Sequence, residues 1–504
     1  MADASLEQEI KMAAWPGFEL PDLAEVAPGV GVAEAPTLEL DAVYVDTHEL
    51  DLVRRGVSLR RRTGEGATRW TLKLPATAPS GIALSRRELD VVSDAHEVPA
   101  ELADLVTAWV RRQPLGPVTT IRTTRRRHVL TGADGSELAE LDDDEVSVVD
   151  ADDHVAVRFR EIEVELAAGG SPDLLTLVAA SLSEAGAGAP DRTTKVVRAL
   201  GPRALAPPDL APAEVGPGST AAELVVAALR ASVSQVLDHD HVIRLDDDVE
   251  GVHKARVGTR RLRSNLRTFG AVLDHGWADG LRAELAWLAG ELGVVRDTDV
   301  LLDALWRDVA GLDERDHPVG ASVLAHLVDE RRRQVAALLT VMRTDRYVDL
   351  LEHLVEAAAR PRFGPDAHRP AVDVVPGLVA ERWRKLRRTA RDLGDHPSDD
   401  ELHRVRILAK RTRYAADAAE PVVGDAASGL SWAVAHLQDE LGELHDTAVA
   451  MDWLRGLTPR LTHAEAMVAG QLVAAQRRLA AERRGSWRAA WKACDTKALT
   501  GWLP

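Results

Sequence analysis

Cysteine is almost absent: Cys494 is the only one in 504 residues. A single thiol excludes an intrachain disulfide framework and any cysteine-rich zinc site, and it makes a reducing compartment the natural home. No uninterrupted apolar run approaches the ~20 residues that span a bilayer, and the N-terminus lacks the basic start and apolar core of a secretory signal. The expected location is the cytoplasm, with no membrane partner. Positive charge is also in deficit, since 62 Lys and Arg stand against 80 Asp and Glu, for a net charge of -18. General attraction to nucleic acid or to an anionic membrane surface is not expected, so any polyanion must be held by a local basic cluster.

A hydrophobic content of 45% supports ordinary globular domains, and 504 residues exceed what one core usually organises. Residues 1–202 read as strands separated by turn signals, among them "TGEG", "APSG" and "GADG". Residues 203–219 are rich in proline and glycine and read as a linker. From 220 to 504 the chain is rich in Ala, Leu and Arg with helical periodicity. This helical part repeats itself. "VHKARVGTRRLR" from Val252 matches "LHRVRILAKRTR" from Leu402, an offset of 402 − 252 = 150, and "ELGVVRDTDV" from Glu291 matches "ELGELHDTAV" from Glu440, an offset of 149. Two copies are expected at about 220–360 and 371–504, with the seam near "RPRFGPDAHRP".

The strands carry a charge pattern. In "LEQEIKM", Glu7, Glu9 and Lys11 share one face of a strand, while Leu6, Ile10 and Met12 take the other. In "FREIEVEL", Glu161, Glu163 and Glu165 oppose Ile162, Val164 and Leu166; in "TRWTLKL", Arg69, Thr71 and Lys73 oppose Trp70, Leu72 and Leu74. Arg60 and Arg62 share a face, as do Arg86, Glu88 and Asp90. A solvated sheet face accounts for any one such strand. It does not account for acids gathered on two strands and bases on several others. A closed sheet with its polar faces inward would bring both sets around one cavity. Clustered carboxylates call for a hard divalent cation such as Mg²⁺ or Mn²⁺, and clustered Arg and Lys call for phosphate, so the cavity suits a polyphosphate chain.

These residues resemble the CYTH superfamily, the triphosphate tunnel metalloenzymes. "EQEIK" fits its ExExK signature, followed in order by "YVDT", "LRRR", "TLK", "RRE", "DDEV", "EIEVE" and "TTKVVRAL". The resemblance implies an antiparallel barrel forming a tunnel, with Glu7, Glu9, Glu161 and Glu163 holding Mg²⁺ or Mn²⁺. A further metal ligand comes from the run Asp142, Asp143, Asp144, of which Asp144 is favoured. It implies that Lys11, Arg60, Arg62, Lys73, Arg125 and Lys195 bind a triphosphate substrate, with Arg126 and Arg127 left open as alternatives to Arg125. Glu88, which would orient or deprotonate the attacking water, and Lys11 are then the catalytic residues.

In the helical part, His253, Arg256, Arg260, Arg263 and Arg267 fall within an arc of about 80° at ~100° per residue. Ala255, Leu262, Leu266 and Phe269 lie opposite. The second copy places His403, Arg406, Lys410 and Arg413 on the same arc. A solvated face normally interleaves acids, but neither stripe meets one before Asp274 or Asp417. Two matched cationic stripes in so acidic a chain call for an anion. The repeat resembles the CHAD domain, which implies paired helical bundles and a basic groove for inorganic polyphosphate.

The fold class expected is therefore α+β and multidomain, a closed antiparallel β-barrel followed by tandem all-α bundles. The function expected is metal-dependent hydrolysis of inorganic triphosphate or a related triphosphate, joined to polyphosphate binding. A non-catalytic polyphosphate-binding protein and a class IV adenylate cyclase are the alternatives; retained acids weigh against the first, and no adenine pocket is legible for the second.

Overall fold

The computed structural model describes residues 3–76, 82–150 and 152–504, so the "APSG" turn signal at 78–81 lies outside the described residues. The chain divides into two compact units, Met1–Asp209 and Leu210–Pro504.

The first unit is built on eight strands: β1 (Asp3–Ala14), β2 (Gly31–Asp46), β3 (Ser58–Thr63), β4 (Arg69–Pro75), β5 (Leu84–Val92), β6 (Gly116–Thr131), β7 (Glu137–Val149) and β8 (Val155–Leu166). All pairings are antiparallel, in the order β1-β5-β4-β3-β2-β6-β7-β8. The beginning of β1 pairs with β5 (Glu7 opposite Arg86) and its end with β8 (Lys11 opposite Glu163), so the last strand returns to the first. Every strand therefore has a neighbour on both sides for at least part of its length, while the first ten residues of β2 pair with β6 alone.

Strand alternation then sorts the side chains. Ile10, Met12, Leu141, Ile162 and Val164 turn outward into a core with Leu174, Leu175, Val178 and Leu182 of α2 (Pro172–Glu184). Each fully buried side chain of this kind contributes about 1.5–3 kcal/mol. That helix starts at Ser171, whose side chain accepts from Asp173 N, with Pro172 pre-set for the first turn. The preceding helix, α1 (Ala100–Val110), buries Leu102, Val106 and Trp109. A short α3 (Lys195–Leu200) is capped by Thr194, whose hydroxyl accepts from Val197 N. With apolar residues packed outside under helices, the charged residues of the same strands are left facing the enclosed side.

The second unit contains α4 (Ala221–Leu237), α5 (Asp240–Leu245), α6 (Glu250–Thr268), α7 (His275–Ala310), α8 (His317–Met342), α9 (Asp345–Ala359), α10 (Ala371–Arg391), α11 (Asp399–Val423), α12 (Asp425–Leu457), α13 (His463–Cys494) and α14 (Lys497–Thr500). The packing runs α4 on α6, α6 on α7 and α7 on α8, then α10 on α11, α11 on α12 and α12 on α13, with α6 also touching α11. The two long helices α7 and α12 carry the matched "RDTD" and "HDTA" segments. At the starts of α4 and α10 a β-bridge joins Thr220 to Pro370. Ala221 N donates to Arg369 O and Ala371 N to Ser219 O, both at 2.9 Å. Adding 150 to one half of this pair gives the other.

The boundary between the two units falls within the stretch 203–219, read as a linker, and residues on each side of it are tied to their own unit. Asp209 is ion-paired with Arg55 and lies 3.1 Å from Arg111, while Arg230 donates to Ala211 O at 3.3 Å. Two guanidiniums on one carboxylate anchor the last residues of the first unit. Among the described residues no helix is long and apolar enough to cross a membrane.

Candidate functional site

The first unit encloses a cavity of about 360 Å³. Glu7, Lys11, Arg60, Arg62, Lys73, Glu88, Arg125, Asp142, Glu163 and Lys195 line it. Their strand positions explain this: they occupy the period-two set opposite the outward core, and Lys195 enters from the first turn of α3. The sheet thus gathers Glu7, Lys11, Arg60, Arg62, Lys73, Glu88, Arg125, Glu163 and Lys195 into one space. Glu9, Asp144 and Glu161 sit just behind that surface, 2%, 0% and 0% exposed.

Bases and acids meet there in alternation. Lys11 Nζ contacts Glu163 and lies 2.7 Å from Glu9 Oε2. Lys73 Nζ lies 2.5 Å from Glu7 Oε1 and 2.9 Å from Glu88 Oε2. Lys195 Nζ is 2.9 Å from Asp144 Oδ2, 2.8 Å from Glu161 Oε1 and 2.7 Å from Glu163 Oε2. Arg125 grips Asp144 with two bonds of 2.9 and 2.7 Å, reaches Glu163 at 3.0 Å and contacts Asp142.

Burial works against every one of these charges, and the partners decide the outcome. For Lys11 the carboxylates of Glu163 and Glu9 outweigh burial and raise the pKa; for Lys195 those of Asp144, Glu161 and Glu163 raise it strongly. Burial likewise opposes ionisation of Glu163, but Lys11, Lys195 and Arg125 hold its carboxyl well below the usual range. Glu88 is lowered by Lys73 and Arg60 against the same burial. Asp142 goes the other way: burial, reinforced by Asp144 and Glu140 against Arg125, pushes it up to about 8.

The alternatives left open in two sequence runs separate by strand parity. Arg125 turns into the cavity with Asp144, whereas Arg126 pairs with Asp143 (3.3 Å) and Glu145 (2.7 Å) and is not among the cavity's lining residues. Asp143 is taken up by Arg160 at 2.7 Å. Arg127 lines the cavity too, but is bound to both oxygens of Glu140 at 2.7 Å.

The donor chemistry suits a hard cation. Glu7 Oε2 and Glu9 Oε1 are buried without a hydrogen-bond partner, a state that oxygens of acids reach only at a cost unless a cation or donor satisfies them. Among the described residues, no group of three or more His, Cys, Asp or Glu side chains stands assembled as a metal cage. Lysines are interleaved with the acids instead.

In the second unit, α6 and α11 bring their cationic stripes together, with Ala255, Leu262, Leu266, Val405, Thr412, Ala416 and Ala419 buried behind them. Arg256 Nη2 lies 2.8 Å from Asp297 of α7. Gly442 makes room for Arg406, since a Cβ there would come within 3.3 Å of the guanidinium, whereas a Cβ at Gly293 would meet Arg256 at an ordinary contact distance of 3.7 Å. Lys410 is pushed down to about 7, first by burial and then by Arg260, Arg406 and Arg256. His253 is lowered by burial and by Arg296, and the ring of His403 lies 4.8 Å from that of His445.

Farther along α6, burial and the charges of Arg411, Arg282, Arg382 and Arg263 push Arg267 down to about 10. Burial and then Arg282, Arg260 and Arg411 lower Arg263. Arg413 stands 3.9 Å from Asp417. Sequence reasoning missed Arg282, Arg382 and Arg411. The packing of α7 and α10 on the central pair brings in Arg282 and Arg382, while Arg411 lies on α11 itself, inside the repeated motif but off its cationic arc. It also passed over Arg86, although the alternation had placed it on the inward face.

Family models match a CYTH domain over residues 5–200 and a CHAD domain over 227–455. The uncharacterized protein MT2285 of Mycobacterium tuberculosis (strain CDC 1551 / Oshkosh) is 34% identical over 458 residues, covering 86% of this chain and 85% of its own. Among solved structures, PptA from Streptomyces chartreusis covers 54% of this chain and 100% of its own at 23% identity and a TM-score of 0.46. The CHAD domain from the plant Ricinus communis covers 56% and 93% at 24% identity and a TM-score of 0.46. With its strand signatures, its repeated helical motif and a relative matched over most of both chains, the protein belongs to the family in which a CYTH domain is followed by a CHAD domain.

Proposed function

We propose that the first unit is a closed-barrel tunnel that hydrolyses inorganic triphosphate or a related triphosphate with Mg²⁺ or Mn²⁺, and that the second unit holds inorganic polyphosphate. The observation that carries this reading is the convergence of Lys11, Lys73, Lys195, Arg60 and Arg125 on one cavity that also holds buried acids. In the free protein Lys11, Lys73, Lys195 and Arg125 are paired with carboxylates. A phosphate chain offers them stronger, multiply charged partners, so the lysines exchange acid oxygens for phosphate oxygens as substrate enters. That exchange frees Glu7, Glu9, Glu161, Glu163 and Asp144 to hold the cation, which when bound neutralises phosphate charge and lowers the pKa of water.

Arg60, Arg62 and Arg125 fix the chain by bidentate contacts, and Lys73 and Lys195 hold its flanks. Glu88 orients the attacking water and takes its proton as the water oxygen bonds to the terminal phosphorus. The bridging P–O bond breaks, and Lys11 stabilises the charge left on the departing phosphate. From inorganic triphosphate the products are orthophosphate and pyrophosphate. In the second unit, tandem repeats at about 220–360 and 371–504 supply His253, Arg256, Arg260, Arg263 and Arg267 and then His403, Arg406, Lys410 and Arg413 to the polyanion. Arg256 and Arg413 would exchange Asp297 and Asp417 for phosphate oxygens on binding.

The test is to incubate purified protein with tripolyphosphate, ATP and thiamine triphosphate under Mg²⁺ or Mn²⁺ and measure orthophosphate, pyrophosphate and cyclic AMP. Orthophosphate release supports hydrolysis. Cyclic AMP and pyrophosphate as the only products, made from ATP, would overturn it.

A further inference from the structure

The two halves of the helical unit match along the middle of their cationic arcs and part company at one end. The repeat offset of 150 carries Arg256 to Arg406, Arg260 to Lys410 and Arg263 to Arg413. Applied to Arg267 the same offset gives Asp417, and applied backward to Arg382 it gives Ser232; the offset of 149 carries Arg282 to Ser431. Three arginines of one place in the fold therefore stand where its counterpart has an acid and two hydroxyls.

The arginines converge. Arg382 of α10 donates to the backbone oxygen of Arg267, near the end of α6, at 2.9 Å. Arg267 lies in the field of Arg411, Arg282, Arg382 and Arg263, and Arg411 in that of Arg382 and Arg282. Arg263 links this cluster to the central stripe, since Arg260 acts on it together with Arg282 and Arg411. All five residues are half-buried. Counter-charge is thin: Arg282 pairs with Asp279 and Arg382 with Glu381, acids whose side chains are 70% and 66% exposed, while Arg263, Arg267 and Arg411 have no ion-pair partner among the described residues. Arg382 Nε is buried with no hydrogen-bond partner among the described residues. At the counterpart, Asp417 accepts from Ser431 and lies 3.9 Å from Arg413, so the cationic track ends there on a carboxylate.

Charge density decides what such a cluster holds. An interior link of polyphosphate carries a single negative charge, which one or two cations balance. The last phosphate of a chain ionises a second time at about pH 6, so at neutral pH it approaches twice the charge of a link and presents three free oxygens. Guanidiniums match those oxygens in bidentate pairs. Half-buried guanidiniums gathered on one place exceed what a link needs and suit a terminus.

We propose that Arg267, Arg282, Arg382 and Arg411, with Arg263 leading in from the central stripe, form a site for the terminal phosphate of a polyphosphate chain, so that the helical unit grips the polymer by its end. The inference rests on the polyphosphate reading of this unit and specifies which part of the polymer is bound.

The test is calorimetric titration of the full-length protein with linear polyphosphates of two lengths, and with the same chains after their terminal phosphates have been blocked as phosphoramidates. End capture saturates at one protein for each chain end whatever the length, and blocking the ends weakens binding by about tenfold or more, the scale of lost charge-assisted hydrogen bonds. Arg282→Ser installs the residue of the other half and leaves only the exposed Asp279 without its cation. This variant and Arg411→Gln should erase the difference between free and blocked chains while keeping the affinity for blocked ones. A stoichiometry that grows with chain length, with free and blocked chains bound alike by the wild type, would overturn end capture and leave polyphosphate binding intact. Failure of the wild type to bind any chain, free or blocked, would overturn both.

Discussion

Lys73 of β4 reaches across the intervening β5 to place its ammonium 2.5 Å from Glu7 of β1. Three strands are tied together by this contact and by Glu88 of β5 on the same lysine. Lys73→Met would leave Glu7 buried without its cation, a loss of about 3–5 kcal/mol for a broken buried pair, and would take one of two nearby cations from the half-buried Glu88. Denaturant unfolding of the full chain should show the first unit melting earlier. Glu7→Gln in the same chain should return part of the loss, and a double mutant no more stable than Lys73→Met alone would refute the pairing.

Glu9→Ala tests the metal assignment. Glu9 is 2% exposed and has one carboxylate oxygen without a hydrogen-bond partner. Loss of a preorganised electrostatic contact typically lowers the rate by roughly 10²-fold or more. Hydrolysis in the variant should fall on that scale, with a raised requirement for Mg²⁺ or Mn²⁺. A rate near that of the wild type would remove Glu9 from the site.

Gly442→Val tests the helical groove without touching a charge. A side chain at Gly442 meets Arg406 at 3.3 Å from its first atom, so the guanidinium must move. Affinity for long-chain polyphosphate, measured by calorimetry, should weaken while triphosphate hydrolysis continues. Unchanged affinity would place Arg406 outside the binding surface.

Lys410 gives the groove a pH dependence with a definite sign. With its pKa pushed down to about 7 by burial and by Arg260, Arg406 and Arg256, it is largely neutral above that pH in the free protein. A polyanion favours the charged form, so binding takes up a proton, and affinity should fall as pH rises through 7. Calorimetry in buffers of different ionisation enthalpy reads this uptake directly, and Lys410→Ala should abolish it. The stability consequence has the opposite slope. A lysine depressed from its usual 10.4 binds fewer protons folded than unfolded between about 7 and that value, so folding stability from this group rises with pH across the window.

Strand alternation was legible in the sequence because a period of two leaves little freedom: once Ile10 and Met12 are outside, Glu9 and Lys11 are inside. The partners of those charges were not. That Lys73 reaches Glu7 as well as Glu88 depends on β5 lying between the strands of Lys73 and Glu7, which no local spacing encodes. The choice between Arg125 and Arg126 likewise waited for the register of β6 on β7, where Arg125 faces Asp144 and Arg126 faces Asp143. On the helices, a wheel identifies the cationic arc but not what packs beside it. Arg411 therefore escaped notice although it bears on Arg267, while Arg413, inside the arc, leans toward Asp417.

The reciprocal bonds around Thr220 and Pro370 exchange with one another when the two halves of the helical unit are swapped. A receptor built this way has a near dyad, and a linear phosphate polymer has interchangeable ends. If the helical unit holds polyphosphate as proposed, the polymer could be threaded in either sense with nearly the same contacts, so capture would demand no directional search.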